Sequence, residues 1–157
     1  MIMFSPAEGF AITRCVGSYV RDPQHWLFKF SPDEWIAASL REARSAEAAF
    51  KMHNARAGLA GAKRAAGMAL NAALILEPDV SWGRSYVDHL MALGRDGGVP
   101  EAVREACRVL LESPAPGGQV VKLRTVRSDE KAMEAARDVM AHAYAVVKRH
   151  AAKEPQE

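Results

Sequence analysis

Cysteine is nearly absent: Cys15 and Cys107 are the only two in 157 residues, far apart and in no CxxC pair. That argues against a disulfide framework or a thiolate zinc site, and leaves both as small apolar residues suited to a core. Aromatic residues are scarce as well, at 7% of a chain that is 49% hydrophobic, with alanine supplying much of the difference. This is the mixture of closely packed helices, not of an aromatic, β-branched sandwich or barrel. No apolar run is long enough to span a membrane, since the longest, residues 65–76, is interrupted by Asn71. The opening residues Met1 to Pro6 lack the cationic segment and long apolar run of a secretory signal. A cytoplasmic location with no membrane partner is therefore expected. The net charge of +2 is too small to require a nucleic-acid partner, and the 25% of charged residues excludes wholesale disorder.

What is present reads as an all-α helical bundle with two long helices, two shorter ones and a long C-terminal helix. Residues 1–30 form an N-terminal arm, residues 31–150 the bundle, and residues 151–157 a disordered tail. In the arm, Phe10 and Ile12, and then Trp26, Phe28 and Phe30, alternate with other residues in the manner of short strands, with a turn at residues 21–24 between them. This gives the bundle a small extended appendage. Ser31-Pro32-Asp33-Glu34 is a capping box with proline at the first helical position, and predicts a helix to about Met52 with Ile36, Leu40, Ala43 and Phe50 inward. A second helix spans about Ala55 to Leu76. It carries one stripe of Leu59, Ala62, Ala66, Leu70, Ala73 and Leu74 and another of Gly58, Gly61, Ala65, Ala69 and Ala72. Glycines inside a helix cost about 1 kcal/mol each against alanine, so a closely packed neighbour, in this chain or a second copy, has to offset them.

A shorter helix is expected from Arg84 to Leu93, with Val87, Leu90 and Met91 inward. Another follows from Pro100 to Glu112, with Val103, Cys107, Leu110 and Leu111 inward. Residues 113–118 form a connection rich in proline and glycine, and residues 119–127 alternate as a basic edge strand or extended lead-in. Ser128 then caps a last helix, with Asp129 and Glu130 in its first turn and Met133, Ala136, Met140, Ala143 and Val147 as its buried seam.

The motifs of several enzyme classes are missing. The chain has no GxGxxG, no GxxxxGK[ST], no HExxH, no paired Glu-x-x-His and no GxSxG. No metal site or cofactor is expected. The chemical lead is residues 137–144, where Arg137, Asp138, His142 and Tyr144 form an R-x4-H-x-Y pattern with an acidic residue after the arginine. Metal-independent RNA cleavage needs a group that moves a proton near neutral pH, which suits histidine, and a permanent cation for the phosphate, which suits arginine.

On these residues the chain resembles the HEPN (higher eukaryotes and prokaryotes nucleotide-binding) family, small all-α domains with two long antiparallel helices followed by shorter ones. The segment looks like the R-x4-H-x-Y form found in bacterial toxins of HEPN–nucleotidyltransferase toxin–antitoxin pairs. The likeness extends over the two long helices and over His89-Leu90, similar to an H-x-L-type element. It implies a ribonuclease acting as a homodimer, an RNA substrate and a nucleotidyltransferase antitoxin as partner. Arg137 would hold phosphate, His142 would act as general acid or base, Asp138 would orient it, and Tyr144 would be the residue open to nucleotidylation.

Helix geometry pulls against a simple version of that site. Residues five apart point about 140° away from each other, so Arg137 and Tyr144 share a face that His142 does not join. Cooperation requires a distorted helix or a second chain. Without it, the three are a surface arginine, a partly buried histidine and a tyrosine at the bundle edge. Arg84, Tyr86, Asp88 and His89 form a second candidate cluster, in which Arg84 and Asp88 would make an i,i+4 pair on a helix. The rival to an enzyme is a non-enzymatic interaction or dimerisation module that docks through its glycine and alanine face.

Overall fold

The computed structural model describes residues 26–112 and 126–153. Among them are five α-helices and no strand, an all-α bundle. The helices are α1 (Pro32–Lys51), α2 (Ala55–Leu76), α3 (Tyr86–Arg95), α4 (Glu101–Glu112) and α5 (Val126–Lys153). The expectations for Phe10, Ile12, Cys15, the turn at 21–24, the connection at 113–118 and the extended stretch at 119–125 lie outside the described residues.

The start of α1 is the capping box that its sequence announces. The Ser31 hydroxyl accepts the Glu34 amide at 3.2 Å, and the Glu34 carboxylate accepts the Ser31 amide at 2.9 Å. Its inward face differs from expectation. Trp35 is buried and its indole donates to the Leu27 carbonyl at 2.8 Å, while Leu40 is 45% exposed. That bond accounts for the segment before it. Trp26–Lys29 is a 3-10 helix and not a strand, with Leu27 buried beneath it and Phe30 edge-on to Trp35 at 4.9 Å. An isolated alternating run has no ladder to join, so its aromatic residues pack on Trp35 instead.

Helix α2 is the centre of the bundle, and 13 of its 22 residues are buried. It runs antiparallel to α1: going up α2, Gly58 faces the Phe50 ring, Gly61 faces Ala46, and Arg64 pairs with Glu42 at 2.6 Å. A methyl group on Gly61 would stand 2.9 Å from the Ala46 side chain with the Ala46 backbone behind it, and one on Gly67 would enter the Tyr86 ring. The glycines of the small-residue stripe are thus covered within the chain by α1, and Gly67, outside that stripe, by α3. Of the two neighbours expected, one in this chain or a second copy, the first is the one found, which leaves the rival module no glycine face to dock through: close helix packing inside the fold already offsets the cost of these glycines.

Helix α3 begins two residues later than expected. Ser85 caps it in a second capping box with Asp88, the Asp88 amide donating to the Ser85 hydroxyl at 3.0 Å. Arg84 therefore lies outside the helix and makes no i,i+4 pair, because Asp88 serves the cap. Val87 and Met91 face outward, and His89, Leu90 and Leu93 face inward. The buried histidine rotates the apolar face by one residue. In α4, Ala106, Cys107 and Leu110 are buried, and burial pushes the Cys107 thiol up to about 11. Helix α5 starts at Val126, so Ser128 lies in its first turn and does not cap it, and Arg127 is helical. Its seam of Met133, Ala136, Met140, Ala143 and Val147 is buried as its period requires. The helix continues to Lys153, three residues into the segment read as a tail. No helix among the described residues is long and apolar enough to cross a membrane.

Candidate functional site

Two faces of α5 carry the candidate residues. The first opens toward α1. Ile36, Leu40, Ala43 and Glu47 on α1 meet Arg137, Met140, Ala141 and Tyr144 on α5 across a cleft of about 450 Å³. The Arg137 guanidinium donates to the Glu47 carboxylate, and both side chains stay about half exposed. This pair separates the cleft from a neighbouring one of about 540 Å³ between Phe50, Lys51 and His53 on one side and Glu130, Met133 and Glu134 on the other. Tyr144 is 47% exposed, with the Lys148 ammonium 5.7 Å from its ring centre.

Both helices carry both signs of charge at this face, Glu47 lying on α1 and Arg137 and Lys148 on α5 beside residues of the opposite sign. Arg41, Arg44 and Lys51 are exposed on α1; Glu130, Glu134 and Asp138 are exposed on α5. None of the six has an ion-pair partner among the described residues.

The second face of α5 turns away from α1. His142 opens there onto a separate cavity of about 210 Å³, together with Glu77, Trp82, Asp96 and Arg149. Burial holds the His142 imidazole below the usual histidine range, Arg149 pushes it the same way, and Glu77 and Asp96 oppose. Glu77 sits past the end of α2, where its carboxylate accepts from Arg149 at 3.3 Å and His150 at 2.9 Å. Burial alone would raise its carboxyl group, but these two bonds outweigh that and hold it below the usual range.

Of the residues read from the R-x4-H-x-Y pattern, the fold brings Arg137 and Tyr144 into one cleft and leaves His142 on the opposite side. Asp138 is exposed and makes no hydrogen bond to His142, and the charges acting on that imidazole are Arg149, Glu77 and Asp96. The expected grouping of Arg137, His142 and Asp138 is therefore not formed within one chain, because α5 is regular through the motif. The neighbours of His142 were not found from the sequence. One signal was available: Arg149 lies seven residues on, two helical turns along the same face.

The second candidate cluster disperses. The Arg84 guanidinium lies over the Trp26 ring at 5.7 Å, Tyr86 covers Gly67, and burial raises its hydroxyl above the usual tyrosine range. Bonds to Ser85 lower the Asp88 carboxyl. His89 is fully buried between Trp26 and Trp82, its Nε2 2.9 Å from the Asn71 Oδ1 and its Nδ1 3.4 Å from the Trp82 carbonyl. Burial holds it below the usual histidine range. A neutral ring can donate to only one of these oxygens, and the shorter contact selects Asn71. The four residues thus serve caps and packing. Among the described residues, no group of three or more histidine, cysteine, aspartate or glutamate side chains could hold a metal ion.

Compared with protein-family models, curated proteins and solved structures, the chain has no match.

Proposed function

We propose that this chain is a self-associating helical module whose α1–α5 face pairs with the same face of a second copy. The observation that carries this reading is the self-complementarity of that face. Leu40 and Tyr144 are exposed beside an apolar cleft, and unpaired basic residues on α1 lie beside unpaired acidic residues on α5. A two-fold axis parallel to the helices lays α1 of one protomer on α5 of the other. Because Glu47 is level with Arg137 on the antiparallel α5, it sets Arg44 near Asp138, Lys51 near Glu130 and Glu134, and Leu40 near Tyr144. The exposed alanines Ala37, Ala48, Ala141 and Ala145 permit close approach along both helices.

Sedimentation velocity tests it. Leu40→Glu and Ala141→Arg should convert a dimer to a monomer with an unchanged helical circular dichroism spectrum. Arg44→Glu should weaken association and Asp138→Arg, added to it, should restore it. A parent chain that sediments as a monomer, or variants that associate as the parent does, would overturn the reading.

A second reading is the HEPN-like ribonuclease, favoured by the exposure of Tyr144, since a hydroxyl that accepts a nucleotidyl group must be reachable. In it Arg137 holds the phosphate of an RNA substrate and His142 transfers the proton. The two open on opposite faces of α5, so a second protomer has to supply one of them. Parent chain that cleaves RNA, with cleavage lost in both Arg137→Ala and His142→Ala, supports this reading; no cleavage by the parent excludes it.

A further inference from the structure

The cavity beside His142 has no part in the association proposed above, and its chemistry points to a ligand of its own. We infer that it binds a small zwitterion of the aliphatic amino-acid type. The floor is apolar: Leu70, Leu93, Val99 and Val146 line it and are almost fully buried, and Trp82 forms a wall. About 210 Å³ suits roughly eight to ten non-hydrogen atoms, since a cavity of about 150 Å³ takes benzene.

Both signs of charge face this space with hydrogen-bonding capacity unspent. Asp96 accepts the Gly98 amide at 2.9 Å through one oxygen, which leaves the other for an ammonium group. Arg149 reaches Glu77 through a single nitrogen at 3.3 Å and has four further N–H donors for a carboxylate. The half-buried His142 ring makes no hydrogen bond among the described residues, so it has a donor and an acceptor to offer. Helix ends of both signs also meet here: α2 ends at Leu76 and α3 at Arg95, while α4 opens at Glu101, just beyond Val99. A lone cation would meet Arg149, and a lone anion would meet Glu77 and Asp96. A molecule that carries both charges on an aliphatic body answers both groups and covers the floor.

Calorimetric titration of the full chain with three probes of one shape tests this: L-leucine, isoamylamine for the ammonium alone, and 4-methylpentanoate for the carboxylate alone. L-Leucine should bind, and each single-charge probe should bind about tenfold or more weakly, the loss expected for a hydrogen bond to a charged group. Asp96→Asn and Arg149→Gln, both at exposed residues, should each weaken L-leucine by a similar factor with helical content unchanged. Absence of L-leucine binding overturns the inference. So does a single-charge probe that binds as tightly as L-leucine, or an affinity that neither substitution alters.

Discussion

His89 and His142 sit on different helices, and their surroundings define two kinds of polar site. His89 is sealed between two tryptophans, with both ring nitrogens facing oxygens of the chain. His142 is half buried, faces an open cavity, and has three charged groups near it but no hydrogen bond among the described residues. The first joins α3 to α2 and to the turn before α3. The second is not hydrogen-bonded to another element among the described residues, although Leu70, Trp82 and Leu93 line the cavity it faces. A buried polar side chain whose partners are all internal works for the fold, whereas one with capacity left over is available to something else.

The difference can be broken most strongly at His89. His89→Ala should cost about 3 kcal/mol in urea unfolding, from the void between the tryptophans and the stranded Asn71 amide. His142→Ala should cost under about 1 kcal/mol in the same measurement, because its site is half open. Asn71→Leu should fall between them, at about 1–3 kcal/mol, since it removes the one partner that the described residues place at hydrogen-bond distance from the His89 Nε2.

Acidity sharpens the contrast. Both histidines are held below their ordinary value of 6.5, so the unfolded chain takes up protons before the folded one does. Stability from each is complete above about pH 6.5 and is lost as pH falls through the folded value. Urea midpoints followed downward from pH 7.5 should fall, and His89→Gln should flatten that fall more than His142→Gln. The smallest effect is expected at Arg84, whose contact with Trp26 is exposed: Arg84→Ala should change stability by about 0.5 kcal/mol or less.

Much of the fold was legible because its signals are local. The capping box at Ser31, the stop at Glu77-Pro78 and the seam of α5 each depend on residues within a turn or two of one another. Errors arose where a distant partner chose the face. Trp35 turned inward in place of Leu40 because the Leu27 carbonyl receives its indole. Val87 and Met91 turned outward because Asn71, eighteen residues before His89, gives that imidazole a buried partner. The candidate site was half legible. Helical period alone separates His142 from Arg137 and Tyr144, but nothing in the local sequence names Glu77, Trp82 and Asp96 as the company it keeps.

By itself the amino-acid sequence determined that five helices form, where α1 starts and α2 stops, that α2 needs a close neighbour along its glycines, and that the R-x4-H-x-Y residues point two ways. These follow from backbone geometry and capping chemistry, which act over a few residues. The tertiary structure decided which neighbour lies on the glycine stripe, which acids stand beside His142, and which face the described residues leave exposed. Those outcomes depend on packing between segments up to about a hundred residues apart, as in the Glu47–Arg137 pair, and no short-range pattern encodes them.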